Sequence, residues 1–362
     1  MLQVLISSPS IDVEKNVSGV SSVAVQIMGV LSGKVEFRHL EIGSEQRGGR
    51  FARLFGSLTK AARAIITVLT SRFDILHSNT ALNPKSIVRD LAVIAAARLR
   101  GKAVVLHVHG GTFIHEQPAG MLRSLMRQMF RMAGGIVVLS RTQLSYFAAH
   151  YPETAGKTEF IYNGIGMDGE PARTVRETAP GERLKAVFAG RLAHDKGLDV
   201  LLPACRRLDD RDGIDVHVFG TGDLLPGVLA LAQEKPFVKY RGVFQPSESR
   251  AVLQDFDALV ITSSREGLPM ALIEAMSAGT VPICPESSSF PELVKNGETG
   301  LLIKPDSPDA IAEALLRLKQ DAEGRRSMGN AAHEFAAANF DARKNFAKFL
   351  GIYQRLCPQA GS

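Results

Sequence analysis

Glu266 and Glu274 bracket the stretch of this chain best equipped for chemistry, Ser264-Arg-Glu-Gly-Leu-Pro-Met-Ala-Leu-Ile-Glu-Ala-Met-Ser-Ala-Gly279. An apolar run, Ala258-Leu-Val-Ile-Thr262, reads as the strand before it. Pro269 predicts a helix start, since a first-turn residue makes no use of its N–H. The first carboxylate then sits on a loop, and the second about five residues into a helix, some 7–8 Å further on at ~1.5 Å per residue. Between them lie Gly267, Leu268, Pro269 and Met270, where the unpaired N–H groups of a first turn favour an anion. Two hydroxyl-binding carboxylates around an anion cradle suit a sugar nucleotide, which is polyol, diphosphate and ribose in a row.

A second block lies about 75 residues upstream, Phe188-Ala-Gly-Arg-Leu-Ala-His-Asp-Lys-Gly197. It follows another strand-like run, so Gly190, Arg191 and Lys196 fall at a strand's carboxyl end, where open α/β sheets bind ligands. Arg forks two oxygens and Lys acts as a mobile point charge. Together they can neutralise a departing diphosphate as its charge grows, the kind of stabilisation that dominates much of catalysis. His194 and Asp195 between them read as loop filler.

The two blocks, in this order, resemble the G-R-x4-K-G and E-x7-E signatures of retaining glycosyltransferases of family 4, and the resemblance extends over nearly the whole chain. It implies the GT-B fold: an α/β protein of two doubly wound Rossmann-like domains facing an interdomain cleft. It further implies transfer from a nucleoside diphosphate sugar to a glycan or lipid-linked acceptor, as in cell-surface polysaccharide synthesis. No cofactor or metal is implied, because Arg191 and Lys196 replace a divalent ion at the diphosphate. Glu266 would hold donor-sugar hydroxyls and Glu274 the ribose. His109, ending His107-Val-His-Gly-Gly-Thr-Phe113, matches a family histidine near the donor sugar, with His107 packed one pleat deeper. Gly19, in Asn16-Val-Ser-Gly-Val-Ser-Ser22, is the candidate for a phosphate contact, although the family often has two adjacent glycines there. Gly220 and Gly222 of Phe219-Gly-Thr-Gly-Asp223 would line the nucleotide pocket, and Val243 would offer a backbone contact to the base. Asn163-Gly-Ile165 resembles a hinge-side motif, though Asn-Gly is a turn dipeptide in any fold.

The elements that must position these residues are short Val- and Ile-rich runs alternating with helical patterns, the mark of parallel sheets. Strands are predicted near Val4–Ser7, Phe37–Ile42, Asp74–Ser78, Ala103–His109, Gly135–Leu139 and Glu159–Tyr162. A second set is predicted near Lys185–Ala189, Asp215–Phe219, Val238–Arg241, Ala258–Thr262 and Val281–Cys284. Domains are read as 1–165 on the acceptor side, 166–339 on the nucleotide-sugar side, and a terminal helix, 340–362, returning to the first. That helix rests on the pattern Phe340, Phe346, Phe349, Tyr353. Asp209-Asp-Arg-Asp212, among arginines, reads as a solvated turn and not a metal site.

With 362 residues, 45% of them hydrophobic, and a mean hydropathy of +0.03, a soluble two-domain protein is expected. The start, Met1 to Ser8, reads as a buried strand and not a signal peptide. Cys205, Cys284 and Cys357 show no metal-ligand spacing and suit a reducing cytoplasm. Residues 1–165 hold 19 Lys and Arg against 10 Asp and Glu, or +9, while the remainder holds 24 against 27, or −3. Two basic amphipathic stretches concentrate the excess. One sets Phe51, Leu54, Phe55 and Leu58 beside Arg50, Arg53, Lys60 and Arg63. The other sets Arg123, Arg127 and Arg131 in an i, i+4 stripe beside Leu122, Leu125, Met126, Met129 and Phe130. Such helices can lie on an anionic membrane, so a peripheral location on the inner face of the plasma membrane is expected. The competing reading is that each apolar face packs on its own sheet. Nucleic acid is not expected as a partner, since no aromatic platform accompanies the charge. The alternatives are a sugar-nucleotide epimerase or pyridoxal-dependent phosphorylase on the same fold, and a catalytically silent nucleotide-sugar or lipid-binding protein.

Overall fold

The computed structural model describes residues 1–12, 19–43, 50–114, 116–166 and 181–358, without the side chains of 50–58. The chain forms two compact units, Met1–Gly166 with Ala342–Ser362, and Met167–Asp341.

The first unit alternates strand and helix: β1 Leu2–Ser8, α1 Gly19–Val30, β2 Val35–Glu41, α2 Arg50–Thr70, β3 Ile75–Ala81, α3 Pro84–Leu99, β4 Ala103–Gly110, α4 Gly120–Met132, β5 Gly135–Val138, α5 Arg141–His150 and β6 Thr158–Phe160. The strands pair in parallel in the order β2-β1-β3-β4-β5-β6. One sheet face presents Leu76, Leu106, Val108 and Ile136 to Val93, Ile94, Met126 and Phe130 of the helices. The local sequence sets the helix starts. Asn83 accepts a hydrogen bond from the Ser86 N–H ahead of Pro84, and Ser140 accepts one from that of Gln143.

The second unit repeats the plan: β7 Leu184–Ala189, α6 Leu198–Arg207, β8 Ile214–Phe219, α7 Leu225–Glu234, β9 Val238–Tyr240, α8 Ser249–Leu253, β10 Ala258–Val260, α9 Met270–Ser277, β11 Val281–Pro285, α10 Phe290–Leu293, β12 Leu301–Ile303, α11 Pro308–Gln320 and α12 Ala322–Asn339. Its parallel order is β12-β11-β10-β7-β8-β9. Ala186, Phe188, Val216, Val218 and Ile283 pack there against Leu201, Ile311, Leu315 and Leu318.

Several sequence expectations need correction. Strand β12 was not anticipated, because three residues after a glycine make too short a run to show a period. Helix α9 starts at Met270, with Pro269 extended (φ −68°, ψ 130°) as its N-cap and not its first turn. The terminal helix, α13 Ala342–Leu356, is shorter than 340–362 and excludes Phe340. Phe340 ends α12 and stacks edge-on to Phe335, with ring centres 5.8 Å apart. Phe346, Phe349, Ile352 and Tyr353 of α13 are buried, and the helix packs against α1 in the first unit. Gly164 is what admits it, and Asn163-Gly164 forms no turn. A Cβ on Gly164 would lie 2.4 Å from the Ala342 Cα, and the Ala342 N–H donates to the Ile165 carbonyl at 3.0 Å.

Candidate functional site

The winding of the second sheet reverses between β7 and β10, so the loops leaving those two strands lie side by side. The Gly190–Gly197 block follows β7 and the Glu266 block follows β10. Gly197 joins them. Its φ is +75°, and a Cβ there would stand 2.4 Å from the Thr262 carbonyl oxygen, so only glycine permits the approach. The Thr262 hydroxyl returns a hydrogen bond to the Lys196 carbonyl at 2.7 Å. That seam brings Lys196 Nζ to 2.5 Å from Glu266 Oε1, which also accepts from the Ser263 hydroxyl at 2.7 Å. After β11, the Ser288 hydroxyl donates to the Glu266 carbonyl at 2.5 Å. Ser288 is a non-glycine residue in the left-handed region (φ +55°), a conformation that clusters at functional sites.

Arg191 pairs with Asp195, and His194 Nδ1 lies 2.5 Å from Asp199 Oδ2. Asp195 is therefore the partner of Arg191 and not filler. Each cation is thus paired with one carboxylate, and the guanidinium and the ammonium both have further N–H donors to offer. Pro269, the N-cap of α9, makes no side-chain cap; Leu268 before it is buried, and Pro269 and Met270 are half-buried.

On the other side of β7, backbones come unusually close. A Cβ on Gly220 would lie 1.8 Å from the Gly190 carbonyl, and one on Gly222 2.4 Å from that of Leu192. The Leu192 N–H donates to the Thr221 carbonyl (2.9 Å), and the Gly220 N–H to that of Gly242 (2.7 Å). The glycine pair thus knits the loops after β7, β8 and β9, and Val243, 56% exposed, follows directly. Glu274, half-buried on α9, accepts from the Ser249 hydroxyl at 2.5 Å. Burial pushes its carboxyl above the ordinary carboxylate range, against the pull of Ser249.

In the first unit, His109 lies in a β-bulge, because β4 slips against β3 between Thr80 and Ala81 and leaves it unpaired. Gly111 fits behind it (φ +107°), where a Cβ would lie 2.5 Å from the Leu82 nitrogen. His109 Nε2 reaches Asn79 Oδ1 at 2.6 Å, and its ring centre lies 4.0 Å from that of His107. His107 Nδ1 is 3.3 Å from His77 Nε2, and His77 Nδ1 is 2.6 Å from the Tyr353 hydroxyl on α13. Burial disfavours the charged form of all three imidazoles, fully for His77 and His107 and with His109 half-buried. It lowers His77 and His109 to about 3 and His107 well below the usual range, with neighbouring histidines adding to the effect for His77 and His107. Gly19 opens α1, while Asn16, Val17 and Ser18 lie outside the described residues.

The parts played by Asn79, Ser249, Ser263 and His77 do not show in the sequence, and Tyr353 reads there only as a position of the terminal helix. Their one signal was polarity within strand and helix patterns that are otherwise buried. The basic face also changes. Arg127 Nε and a terminal nitrogen grip both oxygens of Glu153 at 2.6 and 2.8 Å, which removes it from the arginine stripe. Met126, Met129 and Phe130 are buried in the core of their own sheet, with Leu122 and Leu125 packed at its edge. Arg123 and Arg131 remain exposed, as does Arg63, while Lys60 bonds Glu41 at 2.9 Å. The side chains of Arg50, Phe51, Arg53, Leu54, Phe55 and Leu58 lie outside the described residues. Asp209 and Asp212 cap their own turn's backbone, so these carboxylates are explained without a metal. No described helix is long and apolar enough to cross a membrane.

Two doubly wound parallel sheets, with a cation-and-carboxylate cluster at the switch point of the second, define the GT-B architecture. Residues 28–168 match the family model described as Glycosyltransferase Family 4, and residues 172–335 match Glycosyl transferases group 1. The chain belongs to the family 4 glycosyltransferases. Among its relatives are the putative colanic acid biosynthesis glycosyltransferase WcaL of Salmonella typhimurium, 26% identical over 67% of this chain and 70% of that one, and the amylovoran biosynthesis glycosyltransferase AmsK of Erwinia amylovora, 28% identical over 73% of each. Solved structures share the fold. The sucrose-phosphate synthase of Thermosynechococcus elongatus superposes with TM-score 0.78 over 98% of this chain and 99% of that one, at 17% identity. HepE of Anabaena, solved with UDP and glucose, gives 0.73 over 98% and 100%, at 16%.

Proposed function

We propose that this glycosyltransferase moves a sugar, with retention of anomeric configuration, from a nucleoside diphosphate donor to a glycan or lipid-linked acceptor in cell-surface polysaccharide synthesis. The observation that carries the reading is the meeting of Lys196 and Glu266 at the β7/β10 switch, with Arg191 on the same loop. Arg191 and Lys196 take the diphosphate, helped by the backbone of Gly190, Gly19 and the Gly267–Met270 turn. Glu266 holds donor-sugar hydroxyls, Glu274 the ribose, and the backbone of Gly220, Gly222 and Val243 the nucleoside. His109 is assigned to the reacting sugar. In the transfer step the bond from the anomeric carbon to the diphosphate oxygen breaks. The acceptor oxygen bonds to that carbon on the same face, and its proton passes to the departing phosphate. The two cations meet the growing charge, so no divalent ion is required. Relatives named for colanic acid and amylovoran synthesis support the acceptor class, and HepE with UDP and glucose supports the donor class. Incubation with UDP-, GDP- and ADP-sugars in EDTA tests this: one donor should release its nucleoside diphosphate. Strict dependence on an added divalent ion would contradict the metal-free reading.

A peripheral seat on the cytoplasmic face of an anionic membrane is proposed on the exposed Arg123 and Arg131 of α4 and the basic excess of residues 1–165. Each cation near such a surface contributes about 1 kcal/mol, enough for reversible attachment only. Binding to anionic vesicles should fade with salt and weaken about tenfold or more in R123E/R131E. Wild-type protein that ignores such vesicles at low salt assigns the basic face to something else.

A further inference from the structure

Asn79 spans three adjacent strands. From β3 its Nδ2 donates to the Ser7 carbonyl on β1 at 2.7 Å, and its Oδ1 faces His109 on β4. A carbonyl oxygen only accepts, so Ser7 decides which end of the amide points at β1. The end offered to His109 is then an acceptor, and His109 Nε2 must carry the hydrogen. A neutral imidazole holds one N–H, which leaves the Nδ1 lone pair free to accept. Nδ1 has no hydrogen-bond partner among the described residues. The titratable groups packed around the ring are His107 on β4, His77 on β3 and, through His77, Tyr353 on α13. Among the described residues, no carboxylate is hydrogen-bonded to any of them.

We propose that Asn79 is a positioning residue for the transfer reaction, holding His109 as the neutral Nε2–H tautomer so that Nδ1 accepts a hydrogen bond from a substrate hydroxyl. This rests on the assignment of His109 to the reacting sugar. The bulge supports it, because it takes His109 out of the strand's regular pairing, and there its Nε2 meets Asn79 Oδ1. Burial supports it too, since an imidazolium would lose the acceptor and burial disfavours that charge.

Two-bond proton–nitrogen spectra of the full chain, labelled at histidine nitrogen, read the tautomer directly, with His109 assigned through His109→Gln. The expected result is Nε2–H with an unprotonated Nδ1, unchanged from about pH 8 to about pH 5.5. Asn79→Asp places a carboxylate beside the ring and favours imidazolium. Its kcat should fall about tenfold or more toward pH 6 and recover near pH 8.5, while the wild-type profile lacks that limb. An Nδ1–H tautomer in the wild type overturns the proposal whether or not the variant folds, and so does a folded Asn79→Asp enzyme with the wild-type profile. If His109→Gln turns over normally, the assignment of His109 to the sugar fails, while the tautomer measured in the wild type still stands or falls by itself.

Discussion

Arg191→Ala or Lys196→Ala should lower kcat by roughly 10²–10³, about 2.7–4 kcal/mol of lost transition-state stabilisation, with circular dichroism unchanged. Arg191 is the cleaner test. Its side chain is 51% exposed and its partner Asp195 61%, so removing it strands no buried charge. Lys196 is more enclosed, and its loss removes the paired cation from Glu266, which is 15% exposed and keeps the Ser263 hydroxyl. Some loss of stability should accompany that variant, and Lys196→Arg separates the two effects because it keeps the charge. If the cations act on the growing charge, kcat falls more than donor affinity does. Near-normal turnover in both folded alanine variants would sink the assignment.

The two glutamates should fail differently. Glu274→Ala should weaken binding of the free nucleoside diphosphate by about tenfold or more, as for a lost hydrogen bond to a charged group. Glu266→Ala should leave that affinity within about twofold and impair the sugar donor, since its proposed partners are sugar hydroxyls. Ser249→Ala should follow Glu274→Ala more weakly, because Ser249 only orients that carboxylate. Calorimetry with nucleotide and with intact donor resolves the cases. Equal losses on both ligands for both glutamates would mean the roles are not divided in this way.

Much of this was legible because it is local. The Glu266 and Arg191 blocks each follow an apolar run, and β7 and β10 lie where those runs predict them. What stayed hidden depends on residues distant in sequence. Gly220 and Gly222 form a weak motif as written, and their necessity appears only when the Gly190 and Leu192 carbonyls fill the space a Cβ would take. Arg127 looks like one of three equal charges until Glu153, 26 residues on, grips it. Asn79 sits inside a strand and gains meaning from Ser7 and His109, 72 and 30 residues away. Phe340 fits the spacing of the terminal helix, yet it closes the helix before it. Polar residues at buried positions were the one available signal for this class, and the sequence offers no way to choose their partners.

Transfer from a nucleotide sugar with retention, with Arg191 and Lys196 meeting the diphosphate charge, is open to one direct measurement. Proton NMR of the purified protein with UDP-, GDP- and ADP-sugars in EDTA follows both the donor's anomeric signal and that of the sugar it gives up. One donor should be consumed, its nucleoside diphosphate should appear, and the first-formed product should have the donor's anomeric configuration. Inverted product from that donor would contradict the proposed mechanism, and failure of every donor to react or bind would contradict the function itself.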